Sequence, residues 1–181
     1  THFLIRRSIR TYFYHKRSRD SLTITNRIKF NVILSLSRES FYYQRICIER
    51  SINCNGAEVY GEVHNSIIGS GVIIGEGSVI KDSIIMKDAR IGKNCVVDKA
   101  IIAENCVVGD NVTFGIGSDV PNKLKPAIYS FGLVAVGEKS VIPDGVQIGK
   151  NTAVSGVTSK EDYPDGVLES GETLIKAGGQ A

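Results

Sequence analysis

The 181-residue chain has no tryptophan, one methionine, four prolines and only three histidines. It contains four cysteines, but no pair has the CxxC spacing of zinc and redox motifs. No run of about 18 apolar residues is present, so the sequence predicts no membrane-spanning helix. Glycine is missing from the first 50 residues, although 19 glycines follow. The cysteine spacing favours buried thiols over a disulfide or metal site, and the distribution of glycine divides the chain into two parts.

The two parts also differ in charge. Residues 1–50 carry eleven Lys/Arg against three Asp/Glu, a balance of +8, with eight of the thirteen aromatic residues. Residues 51–181 carry eleven Lys/Arg against sixteen Asp/Glu, a balance of −5. We therefore treat residues 1–54 as a basic N-terminal segment and residues 55–181 as a separate domain.

Three interpretations of the basic segment are open. Basic residues interleaved with aromatics can bind nucleic acid, and a solvated arm is the commoner outcome of such a composition. We favour a third hypothesis, in which the reading frame was lost upstream of Asn55. Ser51–Cys54 can be encoded by codons that give Ala-Leu-Ile-Ala when they are read one base further on. That tetrapeptide would extend the repeat of residues 55–181. Under this hypothesis the segment is irregular or a frame-shift artefact. We also expect the chain to be a fragment, because it begins at Thr1 without a signal-peptide core.

A repeat of about six residues organises the second part. Aliphatic residues recur with gaps of 5, 6 and 6, so that one cycle takes 17 residues, at Val63, Ile68, Ile74, Ile80, Ile85, Ile91, Val97, Ile102 and Val108. Neither a helix nor one long strand has this spacing. A fixed short period predicts a solenoid whose chain turns a corner after each short strand.

The residues between the aliphatic positions support the same interpretation. Three residues after an aliphatic position come types that tolerate positive φ, as a sharp corner requires: Gly71, Gly77, Asp88, Asn94, Asn105 and Asn111. One place further come small or β-branched residues that suit a narrow interior: Val72, Ser78, Ala89, Cys95, Cys106 and Val112. Cys95 and Cys106 are therefore expected to be buried thiols in a reducing, cytoplasmic compartment.

The repeat is interrupted at residues 115–135, where Pro121 and Pro126 cannot donate to a strand ladder. It returns from Val136 to Val154 and ends near Val157. Lys123 and Lys125 in the interruption are candidates for contact with an anionic effector, although exposed lysines more often only solubilise.

The repeat contains few side chains suited to catalysis or metal binding. His64 is the one histidine within it and is the candidate general base of a hexapeptide-repeat acyltransferase. The sequence shows no evident acidic partner for it, and the carboxylates look like a solvated exterior. We therefore assign no catalytic, cofactor-binding or metal-binding residue.

Several short sequence segments closely resemble those of one protein family. They are "YGEVHNSI" from Tyr60, "IKDSIIM" from Ile80 and "VDKAII" from Val97, followed by "VPNKLKP", "VIPDGVQIGKN" and "YPDGVLESGETLI". Over residues 55–181 the sequence resembles the C-terminal domain of bacterial glucose-1-phosphate adenylyltransferases. The resemblance implies a mainly β fold, a left-handed parallel β-helix built on hexapeptide repeats.

The resemblance also implies a function for the intact protein. That protein makes ADP-glucose and pyrophosphate from ATP and glucose 1-phosphate with Mg²⁺, for glycogen biosynthesis. Its chemistry belongs to an N-terminal nucleotidyltransferase domain, which residues 1–50 do not match, so this chain is expected to need no cofactor and to be inactive alone. The expected partners are that catalytic domain, further copies in a homotetramer and sugar-phosphate effectors, without nucleic acid or membrane. The alternatives are an acyltransferase using His64 and a non-catalytic interaction module with a basic arm.

Overall fold

The computed structural model describes residues 22–37 and 40–176, with side chains from residue 46 onward. The chain first forms an antiparallel hairpin of strands β1 (Leu22–Ser37) and β2 (Ser40–Cys54). It then winds through short strands, and every further pairing among the described strands is parallel. These strands form three parallel ladders, whose strands are given below. In each coil the chain passes through the third ladder, then the first and then the second.

Each ladder takes one short strand from each coil. The first ladder contains β4 (Glu62–His64), β7 (Val79–Lys81), β10 (Val96–Asp98), β13 (Thr113–Ile116), β16 (Gln147–Gly149) and β18 (Val167–Leu168). The second contains β5 (Ile67–Ile68), β8 (Ile84–Ile85), β11 (Ala100–Ile102), β14 (Val134–Val136), β17 (Thr152–Ser155) and β19 (Thr173–Ile175). The third contains β3 (Glu58–Val59), β6 (Ile73–Ile74), β9 (Arg90–Ile91), β12 (Val107–Val108) and β15 (Val141–Ile142). Two 3₁₀ turns, Lys160–Asp162 and Pro164–Gly166, precede β18. Within the described residues, no helix has the length and apolarity needed to cross a membrane.

The core is a set of columns that continue from coil to coil. Val63, Ile80 and Val97 are paired in register in neighbouring strands, and all three are fully buried. The other aliphatic positions of the repeat are also buried, as are the thiols of Cys95 and Cys106, which are free. The predicted parallel β-helix is confirmed, and so is the interior position of the two cysteines.

The corners follow the predicted rule. Asp88, Asn94, Asn105 and Asn111 have φ between 53° and 58°, in the left-handed region that Asn and Asp tolerate best among residues with a Cβ. The coils also stack closely at one glycine column. A Cβ added to Gly75 would lie 2.4 Å from the carbonyl oxygen of the next coil, so a side chain there would force the coils apart.

The solenoid continues beyond the point where the sequence pattern ends. Strands β18 and β19 pair with β16 and β17 and add a partial coil after Val157. In this coil the 3₁₀ turns occupy the chain between Val157 and the first-ladder strand, and the buried Tyr163 packs against the core. The aliphatic spacing is lost there because one large aromatic side chain fills space that repeated aliphatic residues fill elsewhere.

The N-terminal segment contains regular strands where it is described. In β2, Cys47–Glu49 pairs with β4, and Ile52 and Asn53 pair with β5, so this strand joins the first and second ladders into one sheet. Strand pairing with the solenoid therefore begins before residue 55, where the sequence places the domain boundary. The boundary and the origin of residues 1–54 stay predictions, and residues 1–21 and 38–39 of this segment lie outside the described residues.

Candidate functional site

Polar side chains gather where the first ladder turns into the second. The first three strands of the first ladder, β4, β7 and β10, end in polar residues, and the residue after each of them has positive φ: 49° at Asn65, 47° at Asp82 and 49° at Lys99. Parallel pairing in register places the strand ends side by side. We call the described residues at the start of this edge the polar corner: Glu49, Arg50, His64, Asn65, Lys81 and Asp82.

His64 lies between two carboxylates in the polar corner. Its Nε2 is 3.2 Å from Oε2 of Glu62, and its Nδ1 is 3.8 Å from Oε2 of Glu49. All three side chains are about one quarter exposed. Sequence reasoning found no acidic partner for His64, and the structure supplies two. Glu62 is two residues away on the same strand and so points to the same side, whereas Glu49 lies opposite His64 in the neighbouring strand.

This arrangement is a poor fit for a general base. A catalytic histidine needs one ring nitrogen held by an orienting group and the other directed at the substrate. Here a carboxylate lies beside each nitrogen of His64. The polar corner opens into a depression of about 620 Å³, lined by Arg50, His64, Asn65, Lys81 and Asp82. Asn65 donates to Oδ1 of Asp82 at 2.5 Å, which fixes two of these side chains to each other.

A potential metal-binding group lies at the same end of the solenoid. One ligand atom each from Cys47, Glu49 and His64 lie within 4.8 Å of one another. Cys47 is 1% exposed, whereas Glu49 and His64 are half-buried. The sequence gives little sign of this group, because Cys47 and His64 are separated by a turn of the solenoid and only strand pairing brings them together.

The two candidate anion-contacting lysines have different surroundings. Lys123 forms an ion pair with Glu172, and its backbone N–H donates to the carbonyl of Gly171 at 2.8 Å. Lys125 has no carboxylate within salt-bridge distance in the part of the chain that the structure describes. The anion contact stays a prediction, with Lys125 the more available of the two cations.

Two buried asparagines fix the interruption, which runs from residue 117 to residue 133 between β13 and β14. Asn122 Nδ2 donates to the carbonyl of Asn151 at 2.8 Å, and its Oδ1 accepts from the backbone N–H groups of Leu124 and Lys125. Asn151 donates to the carbonyl of Val120 and accepts from the N–H of Gly132. Sequence reasoning gave no sign of these contacts, since asparagine is also the ordinary corner residue of the repeat, and Asn151, with φ of 55°, occupies such a corner.

The buried ionisable groups have structural roles. Burial raises the pKa of the Cys95 and Cys106 thiols, and each thiol lies within hydrogen-bonding distance of a backbone carbonyl in a neighbouring coil. Burial also raises the pKa of Tyr163, whose hydroxyl lies 2.8 Å from Oγ1 of Thr158. A raised pKa keeps the thiols protonated, which makes them weak nucleophiles and weak metal ligands.

The outer surface of the second ladder is apolar. Ile67, Ile84 and Met86 are 43%, 36% and 39% exposed. The neighbouring outward positions add small or aliphatic residues and no charge, and with those three they form what we call the apolar face: Ile67, Gly69, Ile84, Met86, Ile101, Ala103 and Ala135. A continuous apolar surface of this kind usually marks a contact with another protein surface.

Comparison with known proteins identifies the repeat. A family model described as "GlmU-like, C-terminal hexapeptide" matches residues 40–126. The chain is 67% identical over 131 residues to a glucose-1-phosphate adenylyltransferase of Lachnospira eligens, and 44% identical over 131 residues to one of Acetivibrio thermocellus. Each match covers 72% of this chain. A solved acetyltransferase domain of PglB from Neisseria gonorrhoeae FA1090 matches with a TM-score of 0.33 and 17% identity, over 72% of this chain and 56% of that one, a likeness too low to support a conclusion.

The chain spans about 31% of the length of these two curated relatives. The family phrases in the sequence predicted a relation to this group, and the identity confirms it. Over 131 residues the chain is a homologue of these glucose-1-phosphate adenylyltransferases.

Proposed function

We propose that this chain is the assembly and regulatory β-solenoid part of a glucose-1-phosphate adenylyltransferase. The observation that carries the proposal is the 67% identity to the Lachnospira eligens protein, of which the chain covers 31%. In the intact cytoplasmic enzyme, ATP and glucose 1-phosphate would give ADP-glucose and pyrophosphate with Mg²⁺, as a step of glycogen biosynthesis. The residues that perform this transfer would belong to a nucleotidyltransferase domain outside the matched region.

The apolar face is the proposed contact surface for that catalytic domain. More than two thirds of each relative lies outside the match, so a large partner surface is available in the same polypeptide. Exposed Ile67, Ile84 and Met86 would each gain from burial, at about 25 cal/mol per Å² of apolar surface removed from water. The absence of charge on the face favours such burial, because no ionised group must lose its hydration.

The proposal includes a tetramer and an allosteric anion contact. Among the described strands, β18 and β19 stand at the two ends of the sheet formed by the first and second ladders, and such edges favour pairing with another chain. Lys125 is the proposed contact for a sugar-phosphate effector, because it is exposed and its backbone is fixed by Asn122. The acyltransferase alternative loses support from the two carboxylates beside His64.

A chimeric enzyme tests the proposal. The catalytic part of the Lachnospira eligens protein is joined to residues 55–181 of this chain and compared with the catalytic part alone. We expect the chimera to form ADP-glucose, to sediment as a tetramer and to respond to sugar phosphates, and the catalytic part alone to lose the tetramer and the response. In the chimera, Ile84→Asp should weaken the contact between the β-solenoid and the catalytic domain, whereas Val107→Asp, at a similarly exposed third-ladder position, is the matched control.

Two results would contradict the proposal. One is a catalytic part that is tetrameric, active and regulated without the β-solenoid. The other is equal behaviour of Ile84→Asp and Val107→Asp, which would remove the apolar face as the contact surface. Lys125→Ala should reduce only the response to the effector, and an unchanged response would exclude the anion contact.

A further inference from the structure

We propose that Cys47, Glu49 and His64 bind a divalent transition-metal ion, with Zn²⁺ as the best-suited ion, where β2 joins the first coil. Their ligand atoms lie within 4.8 Å of one another. Sulfur, nitrogen and carboxylate oxygen are the donors that zinc takes in proteins. This proposal departs from the sequence expectation of no metal ligand, and it is independent of the proposed function.

The strand register builds the group. Cys47 is opposite Glu62, and Glu49 is opposite His64, whereas Ile48 and Val63 between them point into the core. Alternate residues of a strand point to the same side. Two neighbouring strands therefore place four side chains on the face away from the core, the three potential ligands, of which Cys47 is buried, and Glu62.

The distances leave room for an ion. The 3.8 Å between Nδ1 of His64 and Oε2 of Glu49 is too long for a good hydrogen bond. Two ligands at about 2.0–2.2 Å from a tetrahedral zinc ion lie about 3.3–3.6 Å apart. A small rotation of the Glu49 side chain, which is about one quarter exposed, would bring both atoms to that spacing, and the Cys47 thiol lies within 4.8 Å of each.

Glu62 supplies the orienting contact that metal-binding histidines usually have. Its carboxylate lies 3.2 Å from Nε2 of His64. A proton on Nε2 donates to this carboxylate and leaves the lone pair of Nδ1 directed at Glu49 and Cys47. A carboxylate–histidine–metal arrangement of this kind fixes the tautomer and raises the basicity of the ligand.

Charge and access are consistent with a zinc ion. The Cys47 thiolate, Glu49 and Glu62 would together carry three negative charges, against the neighbouring cations Arg50 and Lys81. The open depression beside His64 gives an entry path and room for a water molecule as the fourth ligand. Bound zinc would fasten β2 to the first coil, and the site would belong to the 181-residue chain whatever the origin of residues 1–54.

Metal titration of the full chain tests the proposal. Zn²⁺ binding is measured by competition with a chromophoric chelator, and Co²⁺ binding by its sulfur-to-metal charge-transfer band. We expect one tight equivalent with that band in the wild-type chain. Cys47→Ser should abolish the band and weaken binding more than about 100-fold, whereas Glu62→Gln should weaken binding about 10- to 100-fold and keep the band.

Cys54→Ser is the matched control, because it changes the other free cysteine of the same strand and leaves the group intact. Circular dichroism of each variant verifies that the solenoid is folded. The proposal is overturned if the wild-type chain binds no equivalent of Zn²⁺, or if Cys47→Ser binds as tightly as Cys54→Ser. Neither result bears on ADP-glucose synthesis, so the two proposals fail separately.

Discussion

The regular coils between Val63 and Phe114 and the interruption at residues 117–133 are held together in different ways. In the coils each inward side chain meets the equivalent residue of the next coil, so the same contact is repeated every 17 residues. In the interruption the described contacts with the solenoid run largely through Asn122 and Asn151. Repetition spreads stability over many equivalent residues, whereas an inserted loop depends on a few particular ones.

Two phenylalanines illustrate the difference between the regular coils and the interruption. Phe114 is 1% exposed and packs in the core at the end of the regular coils, whereas Phe131 in the interruption is 86% exposed with φ of 60°. A bulky residue in the left-handed region is strained, and this one gains little burial in return. Phe114 continues the six-residue spacing from Val108, whereas Phe131 lies in the interruption, so the repeat already distinguishes their positions.

The largest effect should come from breaking a core column. Ile85→Ala removes a fully buried side chain and should lower the free energy of unfolding by about 2–5 kcal/mol, since neighbouring coils cannot collapse into the cavity. The matched control is Ile84→Ala, an outward residue of the same strand, which should cost less than about 1 kcal/mol. Denaturant unfolding of the isolated chain measures both, and equal losses would mean that the interior column is not the source of stability.

The second-largest loss of stability should come from removing the hydrogen bonds that hold the interruption against the solenoid. Asn122→Ala removes its donors to the Asn151 carbonyl and Thr173 and its acceptor for two backbone N–H groups. We expect a stability loss of about 1–3 kcal/mol, because buried partners are left unsatisfied. Trypsin should also cleave faster after Lys123, whereas the Lys125–Pro126 bond is not a trypsin site. Cleavage as slow as in the wild-type chain would show that other contacts hold the loop.

Much of the structure of the regular coils could be predicted from sequence, because the repeat presents the same pattern of residues several times. The inward positions of Ile68, Ile85 and Ile102 follow from one 17-residue period. The position of Tyr163 could not be predicted in this way, because it replaces a repeated aliphatic contact with a single aromatic one. For the same reason the last partial coil after Val157 was missed.

The polar corner could be predicted only in part. His64 was identified because histidine is rare in the chain, but its partners Glu49 and Glu62 were not. Recognising Glu49 requires the register between β2 and β4, and β2 lies in a segment that has no repeat to define a register. Long-range pairing of this kind is a property of the folded chain and leaves no local signal in the sequence.

A smaller effect should come from the corners of the regular coils. Asn94 has φ of 53°, so Asn94→Ala should cost about 1–2 kcal/mol, the penalty of a Cβ in the left-handed region. Asn94→Gly should be close to neutral, because glycine adopts this conformation without the clash. Denaturant unfolding compares the two variants. If alanine and glycine were equally destabilising, the asparagine side chain rather than the backbone conformation would be the important feature.

The smallest effect should come from an ion pair outside the repeat. Asp162 Oδ1 is 2.6 Å from Nζ of Lys176, and its Oδ2 accepts from the N–H of Ser159. Lys176 and Ser159 lower the pKa of this carboxyl. Because the folded-state pKa lies below the unfolded value of about 3.9, the carboxylate stabilises the fold above that pH, and the contribution is lost as the pH falls through the folded-state pKa.

Asp162→Asn should therefore have a slightly lower melting temperature than the wild-type chain at pH 7. The difference should shrink as the pH falls from about 4 to about 2, because the wild-type carboxyl becomes protonated and neutral as well. Lys176→Met is the companion variant and should show the same loss at neutral pH. A difference that stays constant down to pH 2 would mean that Asp162 acts through its shape and hydrogen bonds and not through its charge, and would place this turn with the regular coils, where packing rather than charge sets stability.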